Sequence, residues 1–241
     1  MSKVTFVTYT HSNCIDVWNA YFSRLDKHSK SSFDSYVLCN VDCNQYPNHK
    51  FVVYDDAAPY GKEYIKALNS IPHEYFIYMQ EDFILYDNLD FEQVERYINI
   101  LEVDQSISYV RMIKCGDVTQ TKYADNLYYI SQNGKKNQSI NSFSMQPTIW
   151  RKKDFISLYE LVNPMKFGEG LEFAMAMNQL NMNGLYAYGG ESARGGHFDT
   201  NVFPYVATAI VKGKWNVSEY PDELKQIFKE FHINPNLRGL R

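Results

Sequence analysis

Two adjacent carboxylates, Glu81 and Asp82, close an almost unbroken apolar and aromatic run from Glu74 to Gln80, and Phe83-Ile84-Leu85 then resumes it. Such a run is the pattern of a strand buried on both faces, so the acids stand at a strand's carboxyl end. In open α/β sheets, ligands bind outside those ends. The competing reading is an acidic turn between two strands, although such turns more usually carry Gly, Asn or Pro. Other residues capable of chemistry are scattered. His197 lies in a glycine-rich charged loop, Gly189 to Asp199, and Glu169 and Glu172 open a helical segment. Asp55-Asp56 precedes Pro59-Tyr60-Gly61-Lys62, which sets acids beside a cation.

The elements that must position these residues follow from pattern. Lys3 to Tyr9 is β-branched and aromatic, hence a strand, and it breaks at Thr10-His11-Ser12-Asn13. Ser12 or Asn13 can cap the next helix, whose Val17, Trp18, Tyr21, Phe22 and Leu25 recur at helical spacing. Ser35 to Val41, Phe51 to Tyr54 and Ile107 to Ile113 are further strands. Pro59 introduces a helix that Ser70-Ile71-Pro72 stops, and Asp90 with Gln93 has capping-box spacing ahead of Val94, Tyr97, Ile98 and Leu101. Asn133-Gly134 signals a hairpin between Tyr128-Tyr129-Ile130 and Phe143 to Trp150. Lys153 to Leu161 and Glu169 to Leu180 are predicted helices, Asn183-Gly184 ends the second before a strand at Leu185 to Tyr188, and Pro221 starts the last helix. This alternation predicts an α/β fold, a mainly parallel central sheet flanked by helices in one domain over residues 1–241. Residues 1–114 make its first half, 115–215 its second, and 216–241 a C-terminal helix and tail.

Composition narrows the partners. A net charge of -4 leaves no clustered basic surface for nucleic acid, and only Lys135-Lys136 and Arg151-Lys152-Lys153 are basic runs. Aromatic residues make up 16% of the chain, which suits stacking on sugars or bases and equally follows from AT-rich coding. Cys14, Cys39, Cys43 and Cys115 show no C-x-x-C spacing and are expected to be reduced thiols. No apolar run approaches the roughly 20 residues that span a bilayer, and no signal-peptide pattern opens the chain. The expectation is a cytoplasmic protein that is not an integral membrane protein. No Gly-x-Gly-x-x-Gly or Walker sequence follows any strand, which removes the common dinucleotide and P-loop readings.

Four features together resemble a metal-dependent glycosyltransferase of the GT-A fold. They are the nucleotide-binding-like first half, the strand ending in Gln80-Glu81-Asp82, the segment Phe167-Gly168-Glu169-Gly170-Leu171-Glu172, and the late His197. The likeness covers most of the chain in order, through short motifs. It implies a Rossmann-like, GT-A-like domain, a UDP- or GDP-sugar donor, a glycan acceptor, and Mn²⁺ or Mg²⁺. In that family the strand-end acids, usually Asp-x-Asp, hold the cation against the donor diphosphate. Gln80-Glu81-Asp82 departs from this and keeps only the last Asp. The resemblance implies Asp82 as metal ligand with His197 completing the coordination. Glu81 then reaches the metal through water or binds the donor's ribose or sugar.

It further assigns base and ribose to Thr8, Tyr9, Thr10 and His11 and to a later acid, with Asp42, Asp55 and Asp56 as candidates. Lys62, and Lys212 or Lys214, would offset phosphate charge. Inverting members carry the catalytic base in a Gly-Glu-Asp-x-Glu context. Here Gly170 stands in the Asp position, so that role falls to Glu169, to Glu172, or to neither. An inverting transfer is expected, and a retaining one if neither carboxylate serves. Ser144 to Trp150 resembles the segment that shapes the acceptor site, where Trp150 either stacks on a sugar or fills the core. The alternative function is a non-catalytic carbohydrate- or nucleotide-sugar-binding protein of the same fold. A nucleotidyltransferase is disfavoured because the glycine-rich start after the first strand is absent.

Overall fold

In a computed structural model, the residues described are 3–29, 33–116, 121–130, 143–164 and 170–241. The first half supplies β1 (Val4–Tyr9), α1 (Ile15–Ser29), β2 (Asp34–Cys39), β3 (Lys50–Val53), α2 (Tyr60–Ser70), β4 (Tyr75–Gln80), β5 (Ile84–Leu85), α3 (Phe91–Val103) and β6 (Ile107–Arg111). The second half adds β7 (Lys122–Ala124), β8 (Leu127–Tyr129), β9 (Thr148–Arg151), α4 (Lys152–Val162), α5 (Gly170–Gln179) and β10 (Asn183–Ala187). Nine of these strands form one sheet in the order β3-β2-β1-β4-β9-β6-β10-β8-β7. The predicted α/β architecture is therefore present, and its sheet runs through both halves of the chain.

Five successive residues of β4, Tyr75 to Met79, are buried. Side chains alternate across a strand, so both faces of the sheet are covered at this point. β1 pairs with β4 and β2 in parallel, and β2 with β3 likewise. The chain thus winds outward through β2 and β3, then crosses back over to β4 on the other side of β1. That reversal between β1 and β4 is a topological switch point, where the carboxyl ends of two neighbouring strands open a crevice. α1 seals the sheet beside it with Val17, Trp18, Tyr21, Phe22 and Leu25, as their spacing predicts. Asp90 caps α3 through the Gln93 amide at 3.1 Å.

One predicted pairing is corrected. The hairpin expected between Tyr128-Tyr129-Ile130 and Phe143 to Trp150 does not form, since β9 instead inserts antiparallel between β4 and β6. β8 pairs with β7 and β10. All four residues of β9 are buried, and that burial is available only in the middle of the sheet. The turn signal at Asn133-Gly134 lies outside the described residues. Trp150 belongs to the core, stacked on Tyr109 with ring centres 4.4 Å apart. Arg151 is no surface cation either: its guanidinium donates to the carbonyls of Leu101 and Ile107 at 2.7 and 2.8 Å and pairs with Asp154. It closes the C-terminal end of α3 against β9.

Gly184, predicted to end a helix, sits inside β10 at a register shift against β6. A Cβ there would lie 1.9 Å from the Tyr109 ring, so the close approach of β10 to the Tyr109–Trp150 stack requires glycine. Gly184→Ala is expected to cost about 1–3 kcal/mol, read as a lower denaturation midpoint with an unchanged m-value. An unaltered midpoint would show that Tyr109 moves aside freely.

Candidate functional site

The strand end carrying the two acids is shaped by what closes on it. After β4, the Phe83 amide turns back to the Gln80 carbonyl at 3.1 Å, and β5 then pairs with β13 (Tyr205–Val206). Between β10 and β13 the hairpin β11 (Ala193–Arg194) and β12 (His197–Phe198) rises beside the end of β6. Beyond β13, a second hairpin pairs β14 (Ile210–Val211) with β15 (Lys214–Trp215). Its turn, Lys212-Gly213, has both residues at positive φ, which gives the two-residue hairpin its twist.

Asp82 is 8% exposed, and its carboxylate accepts from the Ile210 amide at 3.4 Å. Burial, then the charge of Glu81, raises its pKa from 3.8 to about 7. Glu81 is half-buried, and its charge bears on the Cys14 thiol on the β1 side. Burial and then Glu81 push that thiol up to about 12, so Cys14 is no thiolate nucleophile. The turn explains the division, since Glu81 and Asp82 are its two central residues: Asp82 faces the β14–β15 hairpin, while Glu81 faces the segment that follows β1.

The segments after β1, β2 and β3 are tied together. Asn40 accepts from the Ser12 amide at 2.9 Å and donates to the Ser12 hydroxyl at 3.1 Å. His11 accepts from the Asn13 amide through Nδ1, and its Nε2 lies 3.0 Å from Asp56. Tyr9 is half-buried and stacks on Tyr54, with centres 5.4 Å apart. Asp55 accepts from the Ala57 amide. Lys62 on α2 and Lys212 in the hairpin turn are exposed.

Two of the residues assigned to donor contact are corrected. Thr8 is fully buried, with its hydroxyl 2.7 Å from the Tyr21 phenol, and the Thr10 hydroxyl accepts from the Trp18 indole at 2.9 Å. Both side chains anchor α1 to β1 and face the core, so Tyr9 and His11 are the accessible residues of that strand end. Glu172 is exposed on the first turn of α5, and Glu169 lies outside the described residues.

A divalent cation is implied by the resemblance, and the donor set fits it in part. Two adjacent carboxylates, one desolvated and carrying a raised pKa, are oxygen donors whose mutual repulsion a cation relieves. His197 does not join them. The groups bearing on His197 are the Cys115 backbone and the Arg111 guanidinium; those bearing on Asp82 are Glu81 and the Ile210 amide. Among the described residues no three His, Cys, Asp or Glu side chains are grouped to hold a metal ion. Sequence reading missed the Ile210 amide, Cys14 and Asn40, and only contacts between distant segments could have disclosed them. Among the described residues no helix is long and apolar enough to cross a membrane.

Strand order and the reversal between β1 and β4 define an α/β protein with a Rossmann-like sheet. No protein-family model and no curated protein matches the sequence. Among solved structures, S. aureus TarS in complex with UDP matches at 17% identity and TM-score 0.49, over 77% of this chain and 60% of that one. The mannosyltransferase PcManGT from Pyrobaculum calidifontis, in complex with GDP-Man and Mn²⁺, matches at 10% and 0.48, over 88% and 58%. A cytidylyltransferase from Leptospira borgpetersenii matches at 12% and 0.49, over 98% of both chains. This chain thus spans less than two thirds of the first two. These are remote likenesses, and what the chain does has to be read from its own residues.

The raised pKa of Asp82 fixes a sign. The folded carboxyl keeps its proton up to about pH 7, whereas the unfolded one releases it near 3.8. The folded state therefore binds more protons in between, and Asp82's contribution to stability falls as pH rises through that window. Metal-free chain is expected to lose stability relative to Asp82→Asn between about pH 5 and pH 8. Paired thermal melts across that range measure it. A wild-type-minus-variant difference that stays flat would show a carboxyl that ionises as it does in water.

Proposed function

We propose that this chain is a glycosyltransferase that takes a sugar from a nucleoside diphosphate donor bound at the β1–β4 crevice and passes it to a saccharide hydroxyl. One observation carries the reading: two uncompensated carboxylates, Glu81 and the buried Asp82, stand at the topological switch point of the sheet. A solvated acidic turn would leave neither carboxyl desolvated. A glycosidase would need its two carboxyls to flank one bond, whereas these diverge from neighbouring positions on one strand end.

Asp82, with Glu81 beside it, would hold Mn²⁺ or Mg²⁺, and the bound cation would neutralise charge on the departing nucleoside diphosphate. Tyr9 and His11 border the crevice on the β1 side, where a nucleoside would lie, and Asp56 fixes the His11 ring. Lys212 stands in the exposed turn of the hairpin whose Ile210 amide meets Asp82, and we assign its ammonium to the outer phosphate oxygens. The acceptor hydroxyl must lose a proton as the sugar carbon is attacked. Glu172, on the first turn of α5, and Glu169 just before that helix are the carboxylates we assign to take it, which makes the transfer inverting. A non-catalytic binding protein would keep the nucleotide site and need neither glutamate.

A thermal-shift panel of UDP, GDP and CMP, each with and without Mn²⁺, tests the donor site. One nucleotide at a hundredfold excess over its Kd is expected to add about 2.7 kcal/mol, roughly 5–10 °C in Tm. That gain should need Mn²⁺ and vanish in Asp82→Asn. No response to any nucleotide would overturn the reading. Once a donor is found, Glu169→Gln or Glu172→Gln should lower kcat by roughly 10²–10⁴ with KM for donor little changed. Full activity in both variants would remove the base assignment and favour a retaining transfer.

A further inference from the structure

Beyond β6 the chain runs Met112-Ile113-Lys114-Cys115 along the carboxyl edge of the sheet, and the β11–β12 hairpin joins it there. The Phe198 amide donates to the Lys114 carbonyl at 3.2 Å, and Cys115 bridges to His197. Lys114 is 8% exposed, yet its ammonium forms no ion pair among the described residues. It lies instead 4.2 Å from the ring centres of both Tyr188 and Phe198, which meet edge to face at 5.4 Å. Two π faces attract an ammonium without neutralising it, and a lysine this buried ordinarily has a carboxylate partner. Asp199, next along the chain from Phe198, is engaged by Arg194.

His197 pairs with Cys115 and so takes the opposite face from Lys114 and Phe198, where the Arg111 guanidinium bears on its imidazole. Tyr128, stacked on Tyr186 and set against Tyr188, continues the aromatic wall away from the lysine. A ring-shaped ligand could therefore lie along tyrosine faces with a charged substituent at Lys114.

We propose that Lys114, held between Tyr188 and Phe198, binds an anionic group, a carboxylate or a phosphate, on the saccharide that occupies the β6 side of the site. This deepens the transfer reading and rests on it for the role of that saccharide as acceptor. Lys114 supplies a charge-assisted hydrogen bond and the tyrosines a face for the ring. The rival explanation is a structural peg, a lysine kept for its cation–π packing alone.

Binding of three probes to the full chain, in phosphate-free buffer, separates the two by calorimetry or ligand-observed NMR: glucuronate, glucose 6-phosphate and glucose. At least one of the two anions is expected to bind, with glucose weaker by about tenfold or more; which anion binds identifies carboxylate or phosphate. Lys114→Gln should abolish that preference. Lys114→Met keeps the buried stem should the polar variant fail to fold, and Lys114→Arg should restore anion binding. Equal affinity for glucose, an anion affinity unmoved by Lys114→Met, or binding of no probe would each overturn the inference. Nucleotide stabilisation is read on the same samples. A chain that binds nucleotide and no anionic saccharide sinks this inference alone, and one that binds the anion but no nucleotide sinks the transfer reading instead.

Discussion

The desolvated carboxyl of Asp82 beside the charge of Glu81 is the constraint around which the carboxyl edge of the sheet is arranged. Removing one carboxylate from water next to another is unfavourable, and the backbone amides of Ile210 and of Asp82 itself offset only part of it. A chain selected for stability alone would put an apolar residue at that position, where β5 and β13 already close on the strand end. What keeps the acid buried is structure brought from far along the chain: the β14–β15 hairpin, 128 residues away in sequence, supplies the Ile210 amide. The C-terminal tail braces that hairpin in turn, with Trp215 bonded to Gly239 and Arg241, and Arg238 paired with Asp16 at the start of α1. A strained pair of acids is thus built into a rigid frame, and relief is left to something the crevice receives.

Charge along this edge is sorted by strand. Acids stand at the end of β4, cations at the end of β6, and between them Tyr205 lies within electrostatic reach of Asp82, Cys115 and Arg111. Its hydroxyl donates to Gln146 just ahead of β9, so the divider is itself fixed by the strand that separates β4 from β6. Insertion of β9 antiparallel between those two parallel strands therefore does more than complete the sheet. It sets the acidic and basic ends apart by one strand's width on each side, so that they do not neutralise each other directly.

Much of this was legible in the sequence, and what was not has a common cause. The β4 run, the amphipathic face of α1 and the Asp90 cap are local patterns, and all three stand where pattern puts them. Glu81 and Asp82 were legible as a strand end because burial on both faces leaves a continuous apolar run. By contrast, Thr8 and Thr10 were taken for donor contacts because strand ends in α/β proteins carry ligands. Only packing against Tyr21 and Trp18 shows that their hydroxyls turn inward. The pairing of β9 escaped for a similar reason: a turn signal is local, whereas four consecutive buried positions are a demand that only the sheet centre meets. Arg151 looked like surface charge until the carbonyls at the end of α3 were found around it. Residues whose role depends on partners a hundred positions away carry no mark in their own neighbourhood.

The departure from Asp-x-Asp follows from the same geometry. Glu81 and Asp82 are the two central residues of the turn closed from Phe83 to Gln80, and their side chains leave it in different directions. Glu81 sends its charge toward Cys14, Tyr9 and Cys39 near the ends of β1 and β2, and Asp82 sends its own toward Ile210 and Tyr205. Glu81 still raises the Asp82 pKa, so the Glu81 charge stands within electrostatic reach of Asp82. A cation there would have two protein ligands from two directions, and the rest of its oxygen shell would have to come from water or from the bound molecule. Such a site is weak without its ligand, because hard divalent cations need more oxygens than two carboxylates provide. Metal and nucleotide would then bind cooperatively at this strand end, with the longer glutamate reaching back toward the nucleoside side and the buried aspartate holding the centre.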